Sequence, residues 1–213
     1  MTADRWLNLI VLLPVLLLSM MAHELAHGWV AYRLGDPTAK LQGRLSLNPL
    51  RHLDPLGTAM FVITYLFSGF VFGWAKPIPV SPYYFRDRQK GMAIVGAAGP
   101  VTNFIIAIVF ALILNWLHPR TDSWAFTVLF LIFQINVVLG LFNLIPIPPL
   151  DGSRVLGAFL PRGAYKRWAA LDRYGMILVI VFIVIFQSAF FRLLHWAIMG
   201  LADLFLTHYQ VIY

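Results

Sequence analysis

Four long apolar runs are the feature that most limits how this chain can fold. They cover residues 6–22, 93–117, 124–145 and 175–191, and a helix needs about 20 apolar residues to cross the hydrocarbon of a bilayer. Hydrophobic residues make up 60% of the 213 residues and charged residues 12%, whereas soluble domains are about half apolar and a quarter charged. The fold class predicted is therefore an all-α polytopic membrane protein.

Two further apolar segments leave the number of transmembrane helices at about four to six. Residues 57–73 are marginal in length and rich in Gly, Ser and Thr, and residues 190–206 contain Arg192, His195 and Asp203. Just after the first helix, polarity alternates along the sequence and prolines then interrupt it. This pattern predicts a short β-hairpin or re-entrant region near the interface, with residues 41–47 as an exposed strand edge.

The sequence gives no sign of a second domain. It has no repeat, low-complexity tract or charge block, so residues 1–213 are expected to form one membrane domain, with a core at about 5–156 and C-terminal helices at about 165–209. The first apolar run is slightly longer than the core of a signal peptide. We expect it to be retained and to continue as a helix to about residue 34, where Gly35 and Pro37 are stop signals.

Composition also excludes several classes of partner and site. The chain has no cysteine, which rules out disulfides and thiolate metal ligands. The net charge of +7 is typical of basic residues that set membrane orientation, so no nucleic acid is expected. Nothing in the sequence resembles a Walker phosphate loop, so no nucleotide is expected either.

The stretch "MAHELAHGW" places the only glutamate of the chain between two histidines at the end of the first apolar run. Residues four apart share a helix face, so His23 and His27 can direct imidazole nitrogens at one zinc ion, with Glu24 beside it. This is the His-Glu-x-x-His arrangement of zinc hydrolases, in which the glutamate is the general base. A chance pairing of interfacial histidines is the alternative, and it is disfavoured because a glutamate in an apolar membrane helix is costly unless it serves an interior site.

Zinc in a catalytic site needs a third protein ligand and an open position. Asp151, in "FNLIPIPPLDGSR", is the best candidate because the prolines before it prevent regular helix at the end of a long apolar run. Taken by itself, Asp151 also fits a helix-capping aspartate in an interfacial turn. The remaining histidines lie in polar connections or in the C-terminal region after residue 190.

Three motifs together resemble the site-2 protease family, the intramembrane zinc metalloproteases. They are "HELAH" at 23–27, "GPVTN" at 99–103 and "NLIPIPPLDG" at 143–152. The last one matches the family pattern Asn-x-x-Pro-x-Pro-x-Leu-Asp-Gly at every defined position. The connecting sequences are similar to the compact prokaryotic branch that lacks PDZ and CBS domains.

The resemblance implies a zinc-dependent endopeptidase that cleaves within or next to transmembrane segments of membrane-protein substrates. It implies that Glu24 is the general base, that Asn143 helps to hold the substrate or the oxyanion, and that Asn103 supports the site. An interhelical hydrogen bond is the alternative for each asparagine. The implied metal is one Zn²⁺ per chain, held by His23, His27 and Asp151.

A shared metal site restricts the topology. The two histidines lie late in the first helix and Asp151 follows the helix that begins near residue 124, so these two helices must run in the same direction. Parallel helices need an odd number of crossings between them. Residues 93–117 are then the single full crossing between these helices, and residues 57–73 are re-entrant.

The basic residues predict an orientation for this topology. Most of the 16 Lys and Arg residues, in segments 33–90 and 154–173, then share one side, whereas the other side holds Arg5 and Arg120. The positive-inside rule makes the basic side cytoplasmic. We therefore expect a protein of the prokaryotic cell (inner) membrane with its N-terminus outside and its site nearer the cytoplasmic face.

Two other functions fit parts of the sequence. A metal transporter would also place histidines and acids within helices, but transport normally needs ligands along a path and often repeated halves. A non-catalytic zinc-containing membrane chaperone or binding protein could use the same groove to hold transmembrane helices. The sequence leaves the substrate, the regulation and the oligomeric state open.

Overall fold

The protein is a bundle of helices connected by short turns and irregular segments. The computed structural model describes residues 3–67, 73–206 and 209. Within these ranges, three short 3₁₀ helices lie at Pro49–Arg51, Pro82–Tyr84 and Ala170–Tyr174. The α-helices are α1 (Ala3–Arg33), α2 (Thr38–Leu41), α3 (Pro55–Phe67), α4 (Arg88–Leu117), α5 (Trp124–Asn143), α6 (Asp151–Gly157), α7 (Arg162–Ala169) and α8 (Gly175–Phe205).

Among the described residues, four helical stretches are long and apolar enough to cross a membrane: Leu9–Arg33, Arg88–Leu117, Trp124–Asn143 and Arg162–Phe205. The prediction of an all-α membrane protein is confirmed. The 13 residues of α3 span about 20 Å, less than the roughly 30 Å of a bilayer's hydrocarbon. Residues 68–72 lie outside the described part of the chain, so the re-entrant reading of residues 57–73 stays a prediction.

Capping side chains explain where the long helices begin. The Asp87 side chain accepts hydrogen bonds from the backbone N–H groups of Gln89 and Lys90, which starts α4 five residues before the apolar run. At the start of α5, the Ser123 hydroxyl accepts from the N–H of Phe126 at 3.2 Å. Each cap satisfies N–H groups that have no partner within the helix.

The predicted β-hairpin after α1 is wrong. The described residues contain no strand, and the chain forms α2 and then turns at Gly43, whose φ is +63°. Side chains of the following residues donate hydrogen bonds to two backbone carbonyls in this stretch, which are then not available to a neighbouring strand. Arg51 Nη1 donates to the Gly43 carbonyl (2.7 Å), and His52 Nε2 donates to the Ser46 carbonyl (2.9 Å). The predicted strand edge at residues 41–47 is therefore also wrong.

The C-terminal apolar region forms one helix and not two segments. Helix α8 runs without a break for 31 residues and includes the second apolar segment, residues 190–206, up to Phe205. Arg192 and His195 are exposed on it, while Phe190 and Leu194 are buried. The polar residues thus occupy one side of a continuous helix and do not interrupt it.

Helices α1 and α5 run in the same direction. Between α1 and α4, the structure pairs His27 with Val95 and His23 with Asn103, so residue numbers rise along one helix as they fall along the other. Helices α4 and α5 are joined by residues 118–123 alone and pack against each other. Two antiparallel steps make α1 and α5 parallel, which is the arrangement that the shared site predicted.

A buried apolar cluster holds α4, α5 and the last turns of α8 together. Small residues on α4 let the helices approach closely, as is usual in membrane bundles. The cluster lies toward the end of α4, after the motif "GPVTN" at residues 99–103. Its members are Ala107, Ala111, Leu114, Phe133, Val137, Ala202 and Leu206.

Candidate metal centre

The side chains of His23, His27 and Asp151 meet in one buried cluster. The two Nε2 atoms are 3.0 Å apart, and Asp151 Oδ2 lies 3.0 Å from His23 Nε2 and 3.2 Å from His27 Nε2. The histidines expose 7% and 8% of their surface. Two motifs that are distant in sequence therefore share one site.

Hydrogen bonds on the far side of each imidazole indicate its tautomer. His23 Nδ1 donates to Asn103 Oδ1 at 2.6 Å, and His27 Nδ1 donates to the Val95 carbonyl at 2.7 Å. A carbonyl oxygen can only accept, so in the neutral imidazole the proton sits on Nδ1 and Nε2 keeps a lone pair. Two lone pairs and a carboxylate oxygen converge on one point and would repel each other without a cation among them.

The donor set and its spacing fit zinc. A tetrahedral zinc site with bonds of about 2.0–2.1 Å has ligand atoms about 3.3 Å apart, close to the observed 3.0–3.2 Å. Asp151 Oδ2 is buried and accepts no hydrogen bond from the described residues. Two neutral imidazoles and one carboxylate form a usual ligand set for catalytic zinc.

Gly99 provides the space in front of the histidines. A Cβ atom placed on Gly99 would lie 2.5 Å from both His23 Cε1 and His27 Nε2. Any side chain at residue 99 would thus enter the volume on which the ligand atoms converge. Gly99 is the first residue of the motif "GPVTN", and no role for it was predicted from the sequence.

Two buried asparagines and a serine extend the support of His23. Asn103 Nδ2 donates to Asn136 Oδ1 at 2.9 Å, and Asn136 Nδ2 donates to Ser19 Oγ at 2.9 Å and to the Ile132 carbonyl at 2.8 Å. Asn103 and Asn136 are fully buried. These bonds fix which way the Asn103 amide faces, so its oxygen is the atom that meets His23. Neither Asn136 nor Ser19 was predicted from the sequence, where the only signal for each is a polar residue within an apolar helix.

Contacts from α4 and α7 hold α6, the helix that begins at Asp151. Gly96 of α4 lies so close that a Cβ atom there would be 2.7 Å from Arg154 Cβ. Gln89 Nε2 donates to the Gly157 carbonyl at 2.6 Å, and Trp168 Nε1 donates to the Ser153 carbonyl at 3.0 Å. The position of the Asp151 carboxylate is therefore set by packing on both sides of its helix.

Glu24 belongs to the same group of side chains but has a separate support. One of its carboxylate oxygens and a ring nitrogen of each histidine all lie within 4.8 Å of one another. Its Oε2 accepts a hydrogen bond from the backbone N–H of Ile78 at 2.7 Å. The carboxylate is thus beside the ligand atoms and is held by a segment that sequence analysis did not connect with the site.

The hydrogen bond that the structure gives the Asn143 side chain is internal to α5. Its Nδ2 donates to the Leu139 carbonyl, one turn earlier, at 2.9 Å. The geometry therefore links Asn143 to its own helix and not to His23, His27 or Asp151. Its role toward substrate or oxyanion stays a prediction, whereas the contact of Asn103 with His23 is direct.

A buried cluster of two histidines and an aspartate, beside a glutamate and inside a bundle of membrane helices, is typical of a membrane metallohydrolase. Comparison with known proteins gives the family. The sequence model described as Peptidase family M50 matches residues 118–186. YwhC of Bacillus subtilis is 40% identical over 196 residues, which cover 89% of this chain and 85% of YwhC. Rip2 of Mycolicibacterium smegmatis is 30% identical over 187 residues, which cover 84% of this chain and 70% of Rip2.

The chain belongs to Peptidase family M50. Both relatives carry the name "Putative zinc metalloprotease", and no match was found among solved structures. The predicted site-2 protease family and the predicted class, a zinc-dependent intramembrane metalloprotease, are confirmed. Neither the transporter nor the binding-protein reading gains support from these comparisons.

Proposed function

We propose that the protein hydrolyses a peptide bond within or next to a transmembrane segment of a membrane-protein substrate, at one Zn²⁺ held by His23, His27 and Asp151. The observation that supports these ligands is the convergence of two Nε2 lone pairs and Asp151 Oδ2 within 3.2 Å of one another. A Cβ atom on Gly99 would lie 2.5–2.6 Å from both Nε2 atoms, so the absence of a side chain at residue 99 leaves these atoms unobstructed.

Each side chain of the site has a separate task in this mechanism. Zinc, when bound, supplies Lewis acidity that polarises a carbonyl and lowers the pKa of water. The Asn103 amide and the Val95 carbonyl hold the imidazole rings with Nε2 facing inward. Glu24 accepts a proton from the attacking water and returns it to the leaving amine. Asn143 donates to the developing oxyanion once its amide turns away from Leu139.

The substrate must lose helical structure before it can react. In a helix each carbonyl is bonded to an N–H and lies against the helix wall, so the scissile bond becomes accessible only where the helix unwinds. Local unwinding in hydrocarbon leaves backbone groups without partners, which is costly unless the protein supplies them. Cleavage is therefore expected at substrate segments with weak helix propensity, such as those with Gly or Pro.

The same proposal includes an orientation in the membrane. Residues 1–213 act as one domain, with the site in a core at about 5–156 and the N-terminus outside the cell. The clustered basic residues between 33 and 90 then face the cytoplasm, which places the metal centre nearer the cytoplasmic face of a prokaryotic cell membrane. Lipid and a transmembrane substrate are the expected partners, with no nucleic acid or nucleotide.

Replacement of Glu24 by glutamine tests the proposed chemistry. Glutamine keeps the size of the side chain but cannot accept the proton, so we expect kcat to fall by about 10²- to 10⁴-fold. Zinc content per chain should stay at the wild-type level. Cleavage of a transmembrane substrate reconstituted in detergent or liposomes, with metal analysis of the same samples, measures both quantities.

Asp151→Ala and His23→Ala are the matched controls for the metal. Both should lose zinc and activity together, whereas Glu24→Gln should lose activity alone. Proteolysis retained by Glu24→Gln would contradict the assigned base, and zinc retained by Asp151→Ala would contradict the third ligand.

A further inference from the structure

Residues 73–81 form an irregular segment, here named the strap, which leads into the 3₁₀ helix at Pro82–Tyr84. In its sequence "GWAKPIPVS", one proline precedes Ile78 and one follows it. Proline has no N–H group and fixes its own φ, and a residue before proline is confined to extended backbone. Ile78 therefore carries the single main-chain donor of the Pro77–Ile78–Pro79 tripeptide, on a stiff backbone.

That donor is directed at the carboxylate of Glu24. The Ile78 N–H to Glu24 Oε2 distance is 2.7 Å, the length of a charge-assisted hydrogen bond. The bond joins residues that are 54 positions apart. The strap contributes only its main chain to this bond, so a substitution that keeps the N–H group, such as Ile78→Val, leaves the donor in place.

The side chain of Ile78 holds the strap against the same face of α1. Gly28 lies four residues after Glu24 and thus shares its helix face. A Cβ atom on Gly28 would lie 2.9 Å from Ile78 Cδ1 and 2.6 Å from Leu45 Cδ2. Ile78 exposes 7% of its surface. Its N–H is therefore placed by a buried side chain that packs where α1 has no side chain of its own.

Hydrogen bonds on both sides of Ile78 fix the strap in place. Lys76 donates its N–H to the His52 carbonyl at 2.9 Å and accepts from Arg44 Nη2 at 2.8 Å. Ser81 donates its N–H to Asp36 Oδ2 at 2.6 Å, and Asp36 is fully buried. The Ile78 N–H is thus the central contact of a segment that is anchored two residues before it and three residues after it.

We propose that the main-chain N–H of Ile78 positions the general base. By holding Oε2 of Glu24, it fixes the rotation of the carboxylate and leaves Oε1 as the oxygen that exchanges the proton. Ile78 is a positioning residue because it acts through Glu24. This inference rests on the proposed function only in giving Glu24 the role of base; the hydrogen bond itself can be tested without turnover.

Ile78→Pro removes the donor and Ile78→Val keeps it, which makes these two variants a matched pair. Proline is compatible with the extended backbone that Pro79 already imposes. Since Ile78→Pro also removes packing against Gly28, a third variant replaces Ile78 by its α-hydroxy acid analogue. That ester keeps the side chain and exchanges the N–H for an oxygen atom.

The carboxylate can be observed directly because Glu24 is the only glutamate of the chain. Cell-free synthesis with glutamate ¹³C-labelled at its side-chain (δ) carboxylate places one probe in the protein. Isotope-edited infrared spectra of the detergent-purified, zinc-loaded protein then report the hydrogen bonding of this one group. Kinetics on a transmembrane substrate and zinc analysis are measured on the same preparations.

We expect the ¹³C carboxylate band to coincide in wild type and Ile78→Val and to shift in Ile78→Pro and in the ester. The two donor-free variants should lose about 10- to 100-fold in kcat, the effect of a hydrogen bond to a charged group, with KM within about twofold of wild type because only positioning has changed. Zinc content should be unchanged in the ester. If Ile78→Pro does not fold, the ester alone tests whether the Ile78 N–H group positions Glu24.

An unshifted band in the zinc-loaded ester would overturn the inference, and so would an equal loss of kcat in Ile78→Val and Ile78→Pro. Absence of turnover in wild type would contradict the proposed function instead, and the infrared comparison would still test the bond. Failure of this inference and failure of the proposed function are therefore distinguishable.

Discussion

The two sides of α1 support the candidate site in different ways. On one side, His23 and His27 face α4 and are held by buried groups of regular helices, the Asn103 amide and the Val95 carbonyl. On the other side, Glu24 faces the strap and is held by a main-chain N–H of an irregular segment. The proposed metal ligands and the proposed general base thus depend on different parts of the fold, so variants should separate the two roles.

Gly99→Ala should have the largest effect on the metal side. The added Cβ atom would lie 2.5–2.6 Å from atoms of both imidazoles, and the rings cannot withdraw because their Nδ1 atoms are bonded. We expect loss of stoichiometric zinc, measured by metal analysis of purified protein. Gly200→Ala is the matched control, since a Cβ atom there meets nothing within 4 Å. Zinc retained in Gly99→Ala would show that the ligand atoms do not converge at this point.

Asn103→Leu should have an intermediate effect on the same side. Leucine keeps the volume but removes the acceptor that fixes the tautomer of His23, and loss of such a partner typically weakens metal binding by about 10- to 100-fold. Competition with a chromophoric chelator measures the change in affinity.

Asn115→Leu is the matched control for that experiment. Asn115 lies on the same helix and donates to the Phe205 carbonyl at the far end of the bundle. Its replacement should change thermal stability and leave zinc affinity unchanged. Equal zinc affinity in Asn103→Leu and wild type would remove Asn103 from the support of His23.

Ser19→Ala should have the smallest effect. Asn136 keeps its bond to the Ile132 carbonyl when the Ser19 hydroxyl is lost, so one neutral hydrogen bond disappears, at a cost of about 1 kcal/mol. We expect a small drop in the thermal unfolding temperature and zinc affinity within about threefold of wild type. A tenfold loss of zinc affinity would contradict this expectation. It would show that zinc binding depends on Ser19, which reaches His23 only through Asn136 and Asn103.

The sequence was sufficient for the parts of the site that depend on local spacing. The three proposed metal ligands and Glu24 follow from residues four apart on a helix and from an acid after a proline-rich turn. The structure places all four side chains in one cluster. The positions of α1, α4 and α5 were also predictable, to within about five residues, because long apolar runs have few alternatives. The start of α4 was placed too late because the cap at Asp87 lies outside the apolar run.

The remaining contacts depend on packing between distant segments. Gly99 is important for the site because it packs against His23 and His27. Ile78 is important because the strap passes next to α1 and contacts Glu24. Neither contact produces a recognisable pattern in the sequence around these residues. The hairpin error has the same origin. Alternating polarity at residues 41–47 favoured a strand, but Arg51 and His52 take the acceptors that a strand would have used.

The length of α8 has a mechanical consequence. Its 31 residues extend over about 46 Å, more than the roughly 30 Å of hydrocarbon, so the helix must tilt or project from the bilayer. Its first residue, Gly175, lies so close to Pro149 that a Cβ atom there would be 2.6 Å from Pro149 Cδ. A change in bilayer thickness that alters the tilt of α8 therefore acts on the proline turn two residues before Asp151.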